Sequence, residues 1–250
     1  SNTTGTITEV TILNGIVTFD DIDPGNLQVW GLDIGDGRND GINRLYAMKH
    51  DGNLYEYSYI SGEWEIQIAL TMSGTSAPWD LIVGNGRNDG VVRIYVTSFD
   101  NKVHEFSYIG GNWSEEIIGE TSSYTEGITI GDGNNDGNNE VYAASNDKHV
   151  YEFSYQDGSW NETDLGAGGD SMWDVEVGAV KGDSINRVYA VSQDKKLYEF
   201  TKSDSGWSQE TVGEFTDTVS RLTIGVVGGR EQSAIYISSN DKKVYEYAYE

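Results

Sequence analysis

A repeat constrains this chain more than any other feature. A glutamate set between aromatic or histidine neighbours recurs at Glu56, Glu105, Glu152, Glu199 and Glu246, and a tryptophan follows the first four at Trp64, Trp113, Trp160 and Trp207. One unit of about 47 residues is therefore written five times. The first unit holds four short runs, "VWGLDIG", "RLYAMKH", "NLYEYSYI" and "WEIQIAL", separated by turns rich in Gly and Asp. Tyr, Trp, Val, Ile and Thr are abundant, proline occurs only twice, and no long stretch places apolar residues at helical spacing. These are the marks of strands joined by tight turns.

A four-stranded unit of this length cannot bury both of its faces alone, but copies stacked around an axis bury each other's. The repeat thus predicts an all-β, five-bladed β-propeller with four antiparallel strands per blade, forming one domain over residues 1–250. The blades fall at about 27–72, 76–120, 123–167, 170–214 and 217–250. The last copy stops after its third run, so a fourth strand must come from elsewhere. "TEVTILNGIVTFDDID" aligns with "YEYSYISGEWEIQIAL", which assigns residues 16–22 as the closing strand, with 17–22 pairing beside 244–249. Residues 6–13 and 244–249 both match a third strand, and the sequence leaves open which of them takes that place.

Charge narrows the partners. A formal net charge of −25 opposes phosphate backbones and anionic membrane surfaces, so nucleic acid is not an expected partner. No apolar run approaches the roughly 20 residues needed to span a bilayer, which argues against membrane insertion. The chain has no cysteine, so its compartment cannot be read from disulfides.

In the third unit, "GDGNNDGNNE" places oxygen-bearing side chains at alternate positions: Asp132, Asn134, Asp136 and Glu140, with Gly137 at the turn and Asn138 offering a backbone carbonyl. This loop resembles the calcium loop of FG-GAP and VCBS propeller repeats, as in integrin heads. The resemblance implies one structural Ca2+ in blade three, the alternative being a solvated polar turn. The copies in blades one, two and four carry cations instead: Arg38 and Arg44, Arg87 and Arg93, Lys181 and Arg187, while blade five, "GVVGGREQSA", keeps neither pattern. A guanidinium can bridge the remaining Asp40, Asp89 or Asp183 to loop carbonyls, so these are expected to be arginine-stapled loops without metal.

Positions filled alike in every blade point to packing. Tyr46, Tyr95, Tyr142, Tyr189 and Tyr236 are expected to fill the seams between blades, and the repeated glutamates to accept hydrogen bonds from a neighbouring blade. A varying set points to function. At the entrance of the innermost strand stand Trp30, Trp79 and Trp173, with Glu126 and Ser220 at the same position of blades three and five. Trp30, Trp79, Glu126 and Trp173 are therefore the candidate ligand-binding residues at the channel mouth; the alternative is that the tryptophans fill the channel or a seam. His50, His104 and His149 fall at unrelated positions, and no nucleophile elbow, HExxH pair or phosphate loop is present.

No catalytic residue is assigned. Blades this alike suit a non-catalytic recognition propeller, and the reading is a monomeric, extracellular, multivalent carbohydrate binder, similar to tachylectin-type lectins in blade number only. The alternative is a protein-interaction or adhesion scaffold of the FG-GAP kind, and a glycoside hydrolase or polysaccharide lyase is a third reading.

Overall fold

The computed structural model describes residues 5–14, 16–23, 25, 27–74, 77–229 and 232–249, and its regular elements there are all strands. A hairpin of β1 (Ile7–Leu13) and β2 (Ile16–Asp23) precedes the blades. Blade one is β3 (Val29–Gly35), β4 (Arg44–Lys49), β5 (Asn53–Ile60) and β6 (Glu63–Thr71); blade two is β7 (Pro78–Gly84), β8 (Arg93–Ser98), β9 (Lys102–Ile109) and β10 (Asn112–Glu120). Blade three is β11 (Thr125–Gly131), β12 (Glu140–Ser145), β13 (His149–Gln156) and β14 (Ser159–Ala167); blade four is β15 (Met172–Gly178), β16 (Arg187–Ser192), β17 (Lys196–Ser203) and β18 (Gly206–Glu214). Blade five is the three-stranded sheet of β19 (Val219–Gly225), β20 (Ala234–Ser239) and β21 (Val244–Tyr247). Each blade is an antiparallel meander in sequence order, and the fold is a five-bladed β-propeller.

The second strands β8, β12 and β16 are buried along their whole length, because each is wedged between two blades. Four seams repeat one solution. Tyr46, Met48 and Leu54 of blade one meet Leu81, Ile94, Val96 and Phe106 of blade two, and the equivalent residues meet at the next three seams. The repeated tyrosines do fill these seams, edge-on to the next blade's tryptophan in the pairs Tyr46–Trp113, Tyr95–Trp160 and Tyr142–Trp207. Loop asparagines staple the rim. Asn39 exchanges two hydrogen bonds with the backbone of Val92, Asn88 with Asn139, and Asn135 with Asn186. All three hold φ near +60°, a conformation that asparagine tolerates better than most residues.

The seam between blades five and one is different. The counterparts of Leu32 in the other four blades, Leu81, Ile128, Val175 and Leu222, are 1–6% exposed, while Leu32 is 49% exposed and Ile34 63%. A Cβ on Gly35, Gly84, Gly131 or Gly178 would strike the next blade's Val83, Ile130, Val177 or Ile224, whereas one on Gly225 would meet nothing within 4 Å. The innermost strands of blades five and one do not pack as their neighbours do.

The expected closing strand is corrected accordingly. Residues 17–22 pair with β1, in a register running from Leu13 opposite Ile16 to Ile7 opposite Asp23, and not with residues 244–249; β21 pairs with β20. The physical reason is local: Leu-Asn-Gly-Ile at residues 13–16 is a strong two-residue hairpin signal, and closing so short a loop costs far less entropy than pairing across the whole chain. Of the two claimants to the third-strand place, β21 takes it in blade five, and β1 pairs with β2 in a separate two-stranded sheet. The hairpin covers the outer part of blade one's leading face, where Ile7 and Ile22 pack on Leu45, Ala47 and Tyr57. Asp23 accepts from Lys49 and Tyr57, and Trp64 Nε1 donates to Glu9 at 3.3 Å.

Candidate functional site

The third position of the innermost strands holds Gly31, Asp80, Gly127, Asp174 and Arg221. Arg221 Nη1 of blade five lies 3.2 Å from Asp80 of blade two and 3.5 Å from Asp174 of blade four, so the ion pairs cross the channel. Asp174 also accepts the backbone N–H of Leu222 at 2.9 Å, tying β15 to β19.

Above this cluster opens a cavity of about 370 Å³, lined by Trp79, Tyr124, Glu126, Asn146, Trp173, Gln193, Ser220 and Arg221. Four blades contribute, each through its first strand or the turn after its second. The volume lies in the range of small-molecule or side-chain pockets. Trp79 and Tyr124 lie 6.2 Å apart and are buttressed by Phe99, whose ring is 4.8 Å from Trp79 and 5.0 Å from Tyr124.

Burial dominates the electrostatics. It pushes the Asp80 carboxyl up to about 7 against the pull of Arg221, and Asp174 up to about 6. It also raises Glu126 and Glu176 to about 7. Glu126 is 5% exposed, and Arg221 and Asn146 pull its carboxyl back down against the effect of burial. No Lys, Arg or His among the described residues makes a salt bridge with it, its nearest cationic influence being Arg221.

Of the residues read from sequence, Trp79, Glu126 and Trp173 meet in this cavity. Trp30 does not line it; it stacks on Trp79 at 4.8 Å with a buried, unpartnered Nε1, and so backs the aromatic wall. Tyr124, Asn146, Gln193 and Arg221 were not legible as site residues, although the mismatch of Asp80, Asp174 and Arg221 at one repeat position was a usable signal.

The blade-three loop closes on itself. Asp132 accepts the backbone N–H groups of Asp136 (2.9 Å) and Gly137 (3.0 Å), Asn134 accepts from Asp136, and Asp136 accepts from Asn138. Glu140 turns inward, 1% exposed, to the Tyr142 hydroxyl at 3.1 Å. Among the described residues no group of three or more carboxylate, His or Cys side chains is placed to hold a metal ion, and Glu140 faces Tyr142. The arginine staples are present in the other loops: Arg44, Arg93 and Arg187 each grip Asp40, Asp89 or Asp183 with both terminal nitrogens and reach a loop carbonyl.

The hydrogen-bond partners of Glu56, Glu105 and Glu152 come from their own blade, which corrects the neighbouring-blade expectation for them, while Glu199 meets it. Glu56 is held by Arg38 at 2.7 Å, Gln67 at 2.6 Å and Tyr46 at 3.3 Å, because the loop cation and the second-strand tyrosine lie directly over it. Tyr249 crosses from blade five to Glu199 at 2.6 Å.

No protein-family model matches the chain, and no curated protein matches it. Solved structures do. The WD40 β-propeller domain of Doa1 matches with a TM-score of 0.59 at 16% identity, covering 87% of this chain and 64% of that one. BBS1N, in a structure of its complex with ARL6DN, matches with a TM-score of 0.61 at 14% identity, covering 88% of this chain and 62% of that one. This chain therefore spans a little under two thirds of each, and the likeness is one of fold.

Proposed function

We propose that this chain is a non-catalytic protein-interaction propeller that engages a partner at the aromatic cavity on its channel. The observation carrying this reading is the cavity itself: Trp79, Tyr124 and Trp173 with Glu126 and Arg221 form a concave surface of the kind that anchors a partner side chain. The fold-level likeness to BBS1N, found in complex with ARL6DN, is consistent with it. Multivalency finds no support, because the cavity is built from unlike residues of four blades and exists once per chain. A single glycan is a second reading, favoured by Asn146, Gln193 and Ser220 beside the tryptophans, where hydroxyls would find partners.

A peptide-display library panned against the protein tests the proposal. Recovered peptides should bind in solution and lose at least tenfold in affinity on Trp173→Ala. A glycan array that returns binders competed by free sugar, with no peptide recovered, would overturn it in favour of the glycan.

A further inference from the structure

The cavity combines features that select one kind of guest. Its lining includes the rings of Trp79, Tyr124 and Trp173, and its buried acid, Glu126, is 5% exposed with no salt-bridge partner among the described residues. Arg221 is already committed to Asp80 and Asp174 on the channel side. We propose that the guest is the alkylammonium head of a lysine-type side chain, unmodified or N-methylated, presented by a basic segment of a partner protein. This rests on the protein-interaction reading and names its chemistry.

Three physical arguments converge. Aromatic faces attract a cation through their quadrupoles, and the attraction strengthens once water is excluded. A carboxylate buried without a counter-ion is costly, and an ammonium delivered to Glu126 would supply the missing charge. The formal charge of −25 draws basic segments toward the protein and repels acidic ones. An acidic guest would meet Glu126 in the lining, where the one cation, Arg221, is already shared between Asp80 and Asp174, and a neutral guest would leave Glu126 without a counter-charge.

The test uses the whole chain and two short basic peptides identical except at one side chain: trimethyllysine, or its uncharged carbon isostere in which a tert-butyl group replaces the trimethylammonium. Tryptophan fluorescence and calorimetry should give a Kd at least tenfold tighter for the charged peptide. An unmodified lysine peptide should also bind tighter than the uncharged isostere. Trp173→Ala and Glu126→Gln should each weaken charged-peptide binding at least fivefold while the far-ultraviolet spectrum and melting temperature hold. Equal affinity of the charged peptide and its isostere on the parent protein overturns the proposal. Display-selected peptides that lack a cation yet depend on Trp173 would overturn it and leave the protein-interaction reading standing; absence of any peptide binding overturns both.

Discussion

Leu32 and Leu81 occupy the same position of adjacent blades, yet truncating them should have unequal consequences. Leu81 is 3% exposed and packs among Tyr46, Met48, Leu54, Ile94 and Val96. Leu81→Ala removes three carbons, about 2.4 kcal/mol of transfer free energy at roughly 0.8 kcal/mol each, and leaves a cavity besides, for a total of about 3 kcal/mol. Leu32 is 49% exposed, so half of that transfer free energy is already forgone and water fills the space left behind. Leu32→Ala should cost about 1 kcal/mol. Both positions lie on first strands, so the change in strand propensity cancels in the comparison. Urea unfolding followed by tryptophan fluorescence reads the difference directly as a shift in midpoint at constant slope. Equal losses from the two substitutions would show that blades five and one pack as the other blades do, and the open-seam description would be wrong.

Asn88→Ala removes two rim hydrogen bonds to Asn139 and places alanine at φ 60°, so thermal melts should show a loss of about 1–2 kcal/mol, while Asn88→Gly should lose less because glycine accepts that conformation. Arg93→Met deletes a staple that is 5% exposed but leaves Glu105 held by Arg87; a loss of about 2 kcal/mol is expected in urea, below the usual range for a buried pair because Asp89 is itself 41% exposed. The Asp80 carboxyl titrates higher in the folded than in the unfolded chain, so its ionisation costs stability as pH rises from about 4 through 7; Asp80→Asn should therefore gain stability over the parent between pH 5 and pH 8, and parallel pH profiles would refute this. Because Glu140 faces Tyr142 and not Asp132, millimolar calcium should leave the melting temperature unchanged within about 1 °C, and a larger rise abolished by Asp136→Ala would show that the loop reorganises around the ion.

Blade number, strand order and the role of the tyrosines were legible because each repeat position must fit two neighbours, and such constraint writes itself into the sequence as uniformity. The closing strand was misread for the converse reason. An alignment of residues 17–22 with a fourth strand is equally satisfied by a hairpin lying outside the last blade, and the Asn-Gly turn decides between them. Trp30 was placed beside Trp79 and Trp173 by register, but a repeat alignment cannot show which way an indole leans; Trp30 leans onto Trp79 and leaves the cavity to Tyr124. The rim asparagines Asn39, Asn88 and Asn135 were not singled out in the sequence, because their positive φ and their paired bonds to the next blade show only in the fold.

Departures from uniformity fall into two kinds, and the difference locates the site. In blade three, Asn134 and Glu140 stand where blades one, two and four have two cations, leaving Glu140 and Glu152 sharing one Tyr142 hydroxyl. One hydroxyl carries one proton, so both bonds persist only if a carboxyl supplies another; burial, with Glu152 alongside, pushes Glu140 up to about 8, which keeps it protonated at neutral pH. Compensation also arrives from across the seam: where the third strands of the other blades carry tyrosine, β17 carries Lys202, whose charge favours ionised Glu152. That variation closes on itself and exposes nothing to a partner. In the channel, Asp80, Asp174 and Glu126 face one guanidinium, Arg221, and among the described residues no second cation makes a salt bridge with them. An imbalance that folding has not corrected, walled by three aromatic rings and open to solvent, is where an external cation has the most to contribute.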